Sequence, residues 1–211
     1  MPRPPQPEVV RGFESVNRYW DRLHDSWAAK ILPGEFYISR GGELISTVLG
    51  SCVSVCIRDR LLGIGGMNHF MLPEEGDFSS QTWGSDPDSR MTRYGNWAIE
   101  YLINELIKIG ADKRRFEAKV FGGGQVIPKM SDIGQRNILF TFDYLQKEGL
   151  AMVSSDVGDR YPRKVVYFPE TGRVLIKKLK TQHNRTILER EQAYRRKLDN
   201  KKPTEGDIEL F

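Results

Sequence analysis

The chain has 211 residues, of which 39% are hydrophobic and 28% charged, enough for one sizeable core and ordinary for a soluble globular protein. Its 32 Lys+Arg against 28 Asp+Glu leave a formal charge of +4, well short of a nucleic-acid-binding footprint. Two cysteines are too few for a disulfide scaffold, and no apolar run approaches the roughly 18 residues that a membrane span needs.

Prolines at positions 2, 4, 5 and 7 make the first nine residues a flexible lead-in. The first twenty residues lack the apolar region of a secretory signal, so a cytoplasmic location with reduced cysteines is expected. Over residues 12–31, Phe13, Val16, Tyr19, Trp20, Leu23 and Trp27 recur at helical spacing. This predicts an amphipathic helix or a pair of turns, ended by Pro33-Gly34. A strand-rich block follows, with EFYIS, LISTVLG, CVSVCIRD and GIGGMNHFML as short runs bounded by glycine. Alternation in the third run puts Val53, Val55 and Ile57 on one face and Cys52, Ser54 and Cys56 on the other. Next comes a polar loop, PEEGDFSSQTWGSDPDSRM, without periodicity.

YGNWAIEYLINELIKIG carries Tyr94, Trp97, Ala98, Tyr101, Leu102, Leu106 and Ile109 on one stripe, with Gly110 placed as a C-terminal cap. FEAKVFGGG reads as a strand running into glycines. A second helix is expected to open near Ser131 or Asp132 and close at Gly149. LAMVSSDVG is a further strand, and KVVYFPETGRVLIKKL a hairpin around Glu170-Thr171-Gly172. Runs of strands with only two or three helices predict an α+β fold, not a doubly wound one. From Lys180 the composition turns to charge. A capping box at Thr186 and Glu189 predicts a helix with a thin apolar face, and interspersed acids make it a solvated one. The expected organisation is an N-terminal extension over 1–33, one domain over 34–180 and a charged tail over 181–211.

Both cysteines and one of three histidines fall within eighteen residues, 52 to 69. A thiol attacks as thiolate, and a histidine can take its proton and return it to a leaving group. A strand, a turn and a return strand would bring Cys52 and His69 side by side. Gly50 leaves room for a substrate, and a turn at Gly50-Ser51-Cys52 can expose N–H groups as an oxyanion hole. A bare Cys–His pair is equally what a buried core cysteine and a core histidine give. Cys56 is read as core. A Cys52–Cys56 disulfide would have to span about 13 Å along one extended strand. A zinc site of Cys52, Cys56 and His69 lacks a fourth ligand. His24 and His183 are read as solvated. Asn68 falls on the face opposite His69 and reads as packing. FGGGQV lacks the ending of a P-loop and reads as close backbone packing beside the cleft, with Gln125 structural.

LGSCVSVCIRD followed by GGMNHFMLP, then KVFGGG, IGQRN and GDRYPRKVVYFPETGRVLIKKL, in this order, resemble the chemoreceptor glutamine deamidases, the CheD family of bacterial chemotaxis. The resemblance covers roughly residues 31–180, and the N-terminal aromatic segment also looks like the longer family members. It implies a layered α/β/β sandwich of mixed sheets with two or three helices, and a cysteine hydrolase acting on glutamines of methyl-accepting chemoreceptors. Cys52 maps to the nucleophile and His69 to the general base. The family's third active-site residue is a threonine six positions before the cysteine, where this chain has Ser46. Alternation groups Ser46 with Val48, Gly50 and Cys52 and turns Thr47 away, so Ser46 is the expected third residue. Gly50 and Ser51 are expected beside the oxyanion or substrate. The resemblance implies neither metal nor organic cofactor, no nucleic acid and no membrane insertion, with a CheC-type chemotaxis phosphatase as a further partner. The alternative is a non-catalytic adaptor binding receptor or phosphatase.

Overall fold

The structure, a computed structural model, describes residues 3–72, 90–126, 133–180 and 184–200. In chain order its strands are β1 (Asn17–Asp21), β2 (Ser26–Lys30), β3 (Phe36–Ser39), β4 (Glu43–Leu49), β5 (Val53–Asp59), β6 (Ile64–Asn68), β7 (Phe116–Gly122), β8 (Ala151–Val157), β9 (Arg163–Phe168) and β10 (Arg173–Lys178). The helices are α1 (Arg90–Lys108), α2 (Ile133–Lys147) and α3 (Asn184–Asn200). One sheet has the order β1-β2-β4-β9-β10 and the other β3-β6-β5-β7-β8. Each is mixed: β2–β4 and β7–β8 pair parallel, the remaining neighbours antiparallel. Helices α1 and α2 pack on the second sheet, α1 over β3, β5 and β6, and α2 over β5, β7 and β8. This is the expected α+β sandwich.

Within the second sheet, β5 is buried on both faces, which suits its β-branched run, whereas the edge strand β8 is largely exposed. Toward the helices, a Cβ on Gly66 would strike Ile38 and Leu102. Toward the first sheet, Tyr167 donates to the Ile57 carbonyl at 3.4 Å, and a Cβ on Gly65 would meet the same hydroxyl at 2.9 Å. Ile45, Leu49, Val165 and Tyr167 of the first sheet are almost fully buried. Each such side chain contributes about 1.5–3 kcal/mol relative to exposure.

The predicted N-terminal helix is corrected. Residues 17–30 form the β1–β2 hairpin, with Trp20 opposite Trp27 and their rings edge-on at 5.6 Å. The turn is made by Asp21, whose carboxylate accepts from the N–H of Leu23 and His24, and by Asp25 at φ 48°. Aromatic residues at helical spacing were also strand formers flanking an Asp-rich turn, and parallel pairing with β4 decides between the two. His24, expected to be solvated, packs edge-on against Phe168, with Nδ1 3.0 Å from the Asp21 carboxylate.

Helix α1 ends as expected at Gly110, φ 101°. Its buried stripe is Ala98, Ile99, Leu102, Ile103 and Leu106. Trp97 and Tyr101 lie outside it, stacked on each other at 5.3 Å. The β9–β10 hairpin turns at Gly172, φ 74°. The polar loop after Leu72, the start of the second helix near Ser131 and Asp132, the Tyr94 side chain and His183 lie outside the described residues.

Candidate active site

β4 ends at Leu49, the chain bends through Gly50-Ser51-Cys52, and β5 begins at Val53. Val53 and Phe70 then exchange both backbone hydrogen bonds at 2.9 Å. In this register Ser54 stands opposite His69, so Cys52 is its diagonal neighbour on the same face. Such diagonals lie about 7–8 Å apart at Cα, within reach of aromatic and long side chains. The face is the one turned to the first sheet, so the alternation read from sequence holds for β5. Asn68, on the opposite face, accepts from Val55 N–H and donates to the Ala98 carbonyl of α1, a packing role.

Two segments fix the 50–52 bend from outside. Gly123 and Gly124 donate to the carbonyls of Cys52 and Gly50 at 2.8 and 2.7 Å. A Cβ on Gly122 would lie 2.2 Å from the Cys52 carbonyl oxygen, which explains the glycine run after β7. From α2, Asn137 donates to the Ser51 carbonyl and accepts from Leu72 N–H, both at 2.9 Å. His69 is held through its own backbone, donating to Glu35 and accepting from Gly34.

The imidazole is 2% exposed, and burial pushes its pKa down to about 3, so it is neutral. Its Nδ1 lies 2.8 Å from Thr47 Oγ1, and Thr47 also donates to the Ile31 carbonyl at 2.9 Å. A hydroxyl has one proton. Given to Ile31, it leaves Thr47 an acceptor, so Nδ1 carries the imidazole proton and Nε2 the lone pair. Nε2 is buried without a hydrogen-bond partner among the described residues. It is thereby set as a base.

The expectation of Ser46 is corrected. Ser46 turns to the outer face of the first sheet, with Val166 as its strand neighbour and Tyr19 Oη 3.4 Å from its hydroxyl. Thr47 faces His69 instead. Alternation failed because it was counted back from Cys52 through a bend, where strand periodicity does not apply.

Gly50, Ser51 and Cys52 do present a convergent set of donors, and they already have an acceptor. Glu191 of α3 takes Gly50 N–H at 2.8 Å and Cys52 N–H at 3.3 Å on Oε1. Its Oε2 takes Ser51 N–H at 3.0 Å and Ser51 Oγ–H at 2.7 Å. Cys52 is fully buried; burial, then the Glu191 carboxylate, pushes its thiol pKa well up. Cys56 is buried in the interior, where desolvation likewise raises its pKa. A cavity of about 520 Å³ opens beside Ser51, lined by Gly123, Gly124, Gln125, Gly134 and Asp159.

Residues 71–178 match the family model CheD, described as chemotactic sensory transduction. A probable chemoreceptor glutamine deamidase CheD of Halorhodospira halophila is 51% identical over 97% of this chain and 94% of its own length. Proteins of the same name from Dechloromonas aromatica and Herminiimonas arsenicoxydans are 51% and 50% identical over 93% and 97% of this chain, and 95% and 98% of their own. The chain belongs to the CheD family. Cys52 and His69 precede the segment matched by the CheD family model, so it is the near-full-length CheD relatives that extend across the site.

Sequence reasoning missed Thr47, Asn137 and Glu191. Asn137 stands in the IGQRN motif and could have been flagged there. Glu191 shares one helical face with Ile187, Tyr194 and Leu198, a stripe read as too thin to dock.

Proposed function

We propose that this chain is a protein-glutamine deamidase that converts particular glutamines of methyl-accepting chemoreceptors to glutamate, with release of ammonia, in chemotaxis adaptation. The observation that carries the reading is Cys52 beside its diagonal strand neighbour His69, a base with its lone pair at Nε2, and the Gly50 and Cys52 N–H groups converging on one oxygen with Ser51 N–H next to them. The names of the CheD relatives supply the substrate.

In this mechanism His69 Nε2 takes the Cys52 proton and the sulfur attacks the carboxamide carbon. The N–H groups of Gly50 and Cys52, which converge on one oxygen, hold the oxygen that gains charge. The imidazolium protonates the departing ammonia, leaving a thioester. Water, deprotonated by His69, then releases glutamate and restores the thiol. Thr47, in place of the expected Ser46, keeps the tautomer and stabilises the imidazolium. No step requires a metal or organic cofactor. The resemblance extends the proposal to the cytoplasm as the place of action and to a CheC-type phosphatase as a second partner.

The test is mass spectrometry of a receptor cytoplasmic domain co-expressed with wild type or Cys52→Ala. Glutamines gaining about 1 Da with wild type alone would support a thioester route through Cys52. No gain with either, while receptor binding persists, would replace the deamidase by an adaptor.

A further inference from the structure

A hydrolase needs its nucleophile accessible, yet Cys52 is 0% exposed and His69 2%. What covers them is α3. Its Glu191, 3% exposed, is the acceptor for the 50–52 donors, from a position 139 to 141 residues away in sequence. Three further residues on the same helical face join it. Ile187 borders a small pocket shared with Thr47 and His69. The Tyr194 ring fills the space beside Gly34, where a Cβ would lie 2.8 Å from it, and Leu198 is buried in the main core at 5% exposure. Positions 187, 191, 194 and 198 form one stripe of an α-helix.

The chemistry of the contact is specific. Glutamate is the product of glutamine deamidation, and Glu191 presents that carboxylate to the donors that would hold the reacting oxygen. Gly50 is needed for the fit: a Cβ there would lie 2.7 Å from both Glu191 oxygens. Ser51 adds a hydroxyl donor to Oε2. A carboxylate satisfies all four donors, whereas a carboxamide would turn N–H toward one of them.

Resting on the deamidase reading, we propose that α3 is a tethered product mimic, seated where a substrate helix lies, with Glu191 occupying the place of the deamidated side chain. The chain rests self-blocked and opens when a glutamine-bearing helix displaces α3. The occupied seat also describes that helix, with bulky residues four positions before the glutamine and three and seven after it.

Glutamic acid at 191 cannot be deamidated, but Glu191→Gln makes α3 a substrate of its own site. The Cys52 sulfur would bond to the side-chain carbon and the C–N bond would break. Ammonia would leave with a proton from His69, and water would split the thioester to a carboxylate. In full-length Glu191→Gln, the peptide containing position 191 is expected to gain about 1 Da, and not when Cys52→Ala is added. Glu191→Ala is expected to raise receptor-domain deamidation several-fold over wild type. It is also expected to raise the rate of iodoacetamide labelling of Cys52 by about tenfold, a readout that does not depend on activity.

If Glu191→Ala deamidates receptor and labels Cys52 at wild-type rates, and Glu191→Gln stays unmodified, the tethered occupant is overturned and the deamidase stands. If labelling rises in Glu191→Ala but no preparation deamidates receptor or position 191, α3 covers Cys52 without mimicking a product. The product-mimic proposal is then overturned together with the deamidase.

Discussion

The 50–52 bend and helix α3 meet at the same carboxylate, yet they are held in opposite ways. The bend is fixed by Gly123 and Gly124, just after β7, and by Asn137 of α2, whose N–H groups donate to the carbonyls of Cys52, Gly50 and Ser51 away from solvent. Helix α3 is held by Glu191 and a narrow stripe ending in Leu198, while Thr186, Glu189, Arg190, Arg196 and Lys197 face water. The difference separates a receptor for a side chain from its present occupant. Substitutions on the fixed side should lower activity, stability or both, and those on α3 should spare stability and free the site.

The largest effect expected on the fixed side is that of His69→Gln. The variant keeps a polar side chain in the pocket but loses the base, so receptor deamidation should fall by about 10²–10⁴-fold. Cys52 should remain buried and its labelling slow, because α3 is still docked. Fast labelling in this variant would mean that His69, and not α3, covers the thiol.

Asn137→Ala comes next, and it is a test of stability. It strands the Ser51 carbonyl and the Leu72 N–H, two buried groups joined by one side chain. The expected loss is about 2–4 kcal/mol in denaturant unfolding. Glu191→Ala should cost less than this, since α3 can leave and let water reach the 50–52 donors. An equal loss in both would erase the distinction between frame and occupant.

Much of this arrangement was legible in the chain. Alternation in β5, the cap at Gly110 and the turn at Gly172 all rest on contacts within about twenty residues, where periodicity and turn chemistry carry information. What stayed hidden depended on distant partners. The aromatic hairpin takes its form from pairing with β4, and α3 docks through a stripe whose partner lies some 140 residues earlier. The choice between Ser46 and Thr47 failed for a local reason, the bend that resets the count.

That choice gives a smaller, sharper contrast. Thr47→Val removes the acceptor for His69 Nδ1–H and should reduce deamidation by about tenfold, with Thr47→Ser restoring most of it. Ser46→Ala, on the outer face, should change the rate by less than about twofold. The pair also reads the tautomer. Without Thr47 the imidazole proton is free to move to Nε2, so the pH–rate profile should change shape, whereas Ser46→Ala should leave it intact.

The smallest effect concerns pH and the burial of His69 itself. Its pKa falls from 6.5 to about 3 on folding, because burial disfavours the charged ring. Below 6.5 the unfolded chain binds a proton that the folded chain refuses, so stability is full above that pH and declines as pH falls through it, down to about 3. Over the first unit, from 6.5 to about 5.5, the loss is about 1 kcal/mol. Denaturation of wild type and His69→Gln across that window isolates the contribution, because every other group is common to both and cancels in the difference. A slope that survives in His69→Gln would place the acid sensitivity elsewhere. If instead Glu191→Ala alone flattened it, α3 would be what keeps His69 dry, and the two sides of the site would share one barrier to water.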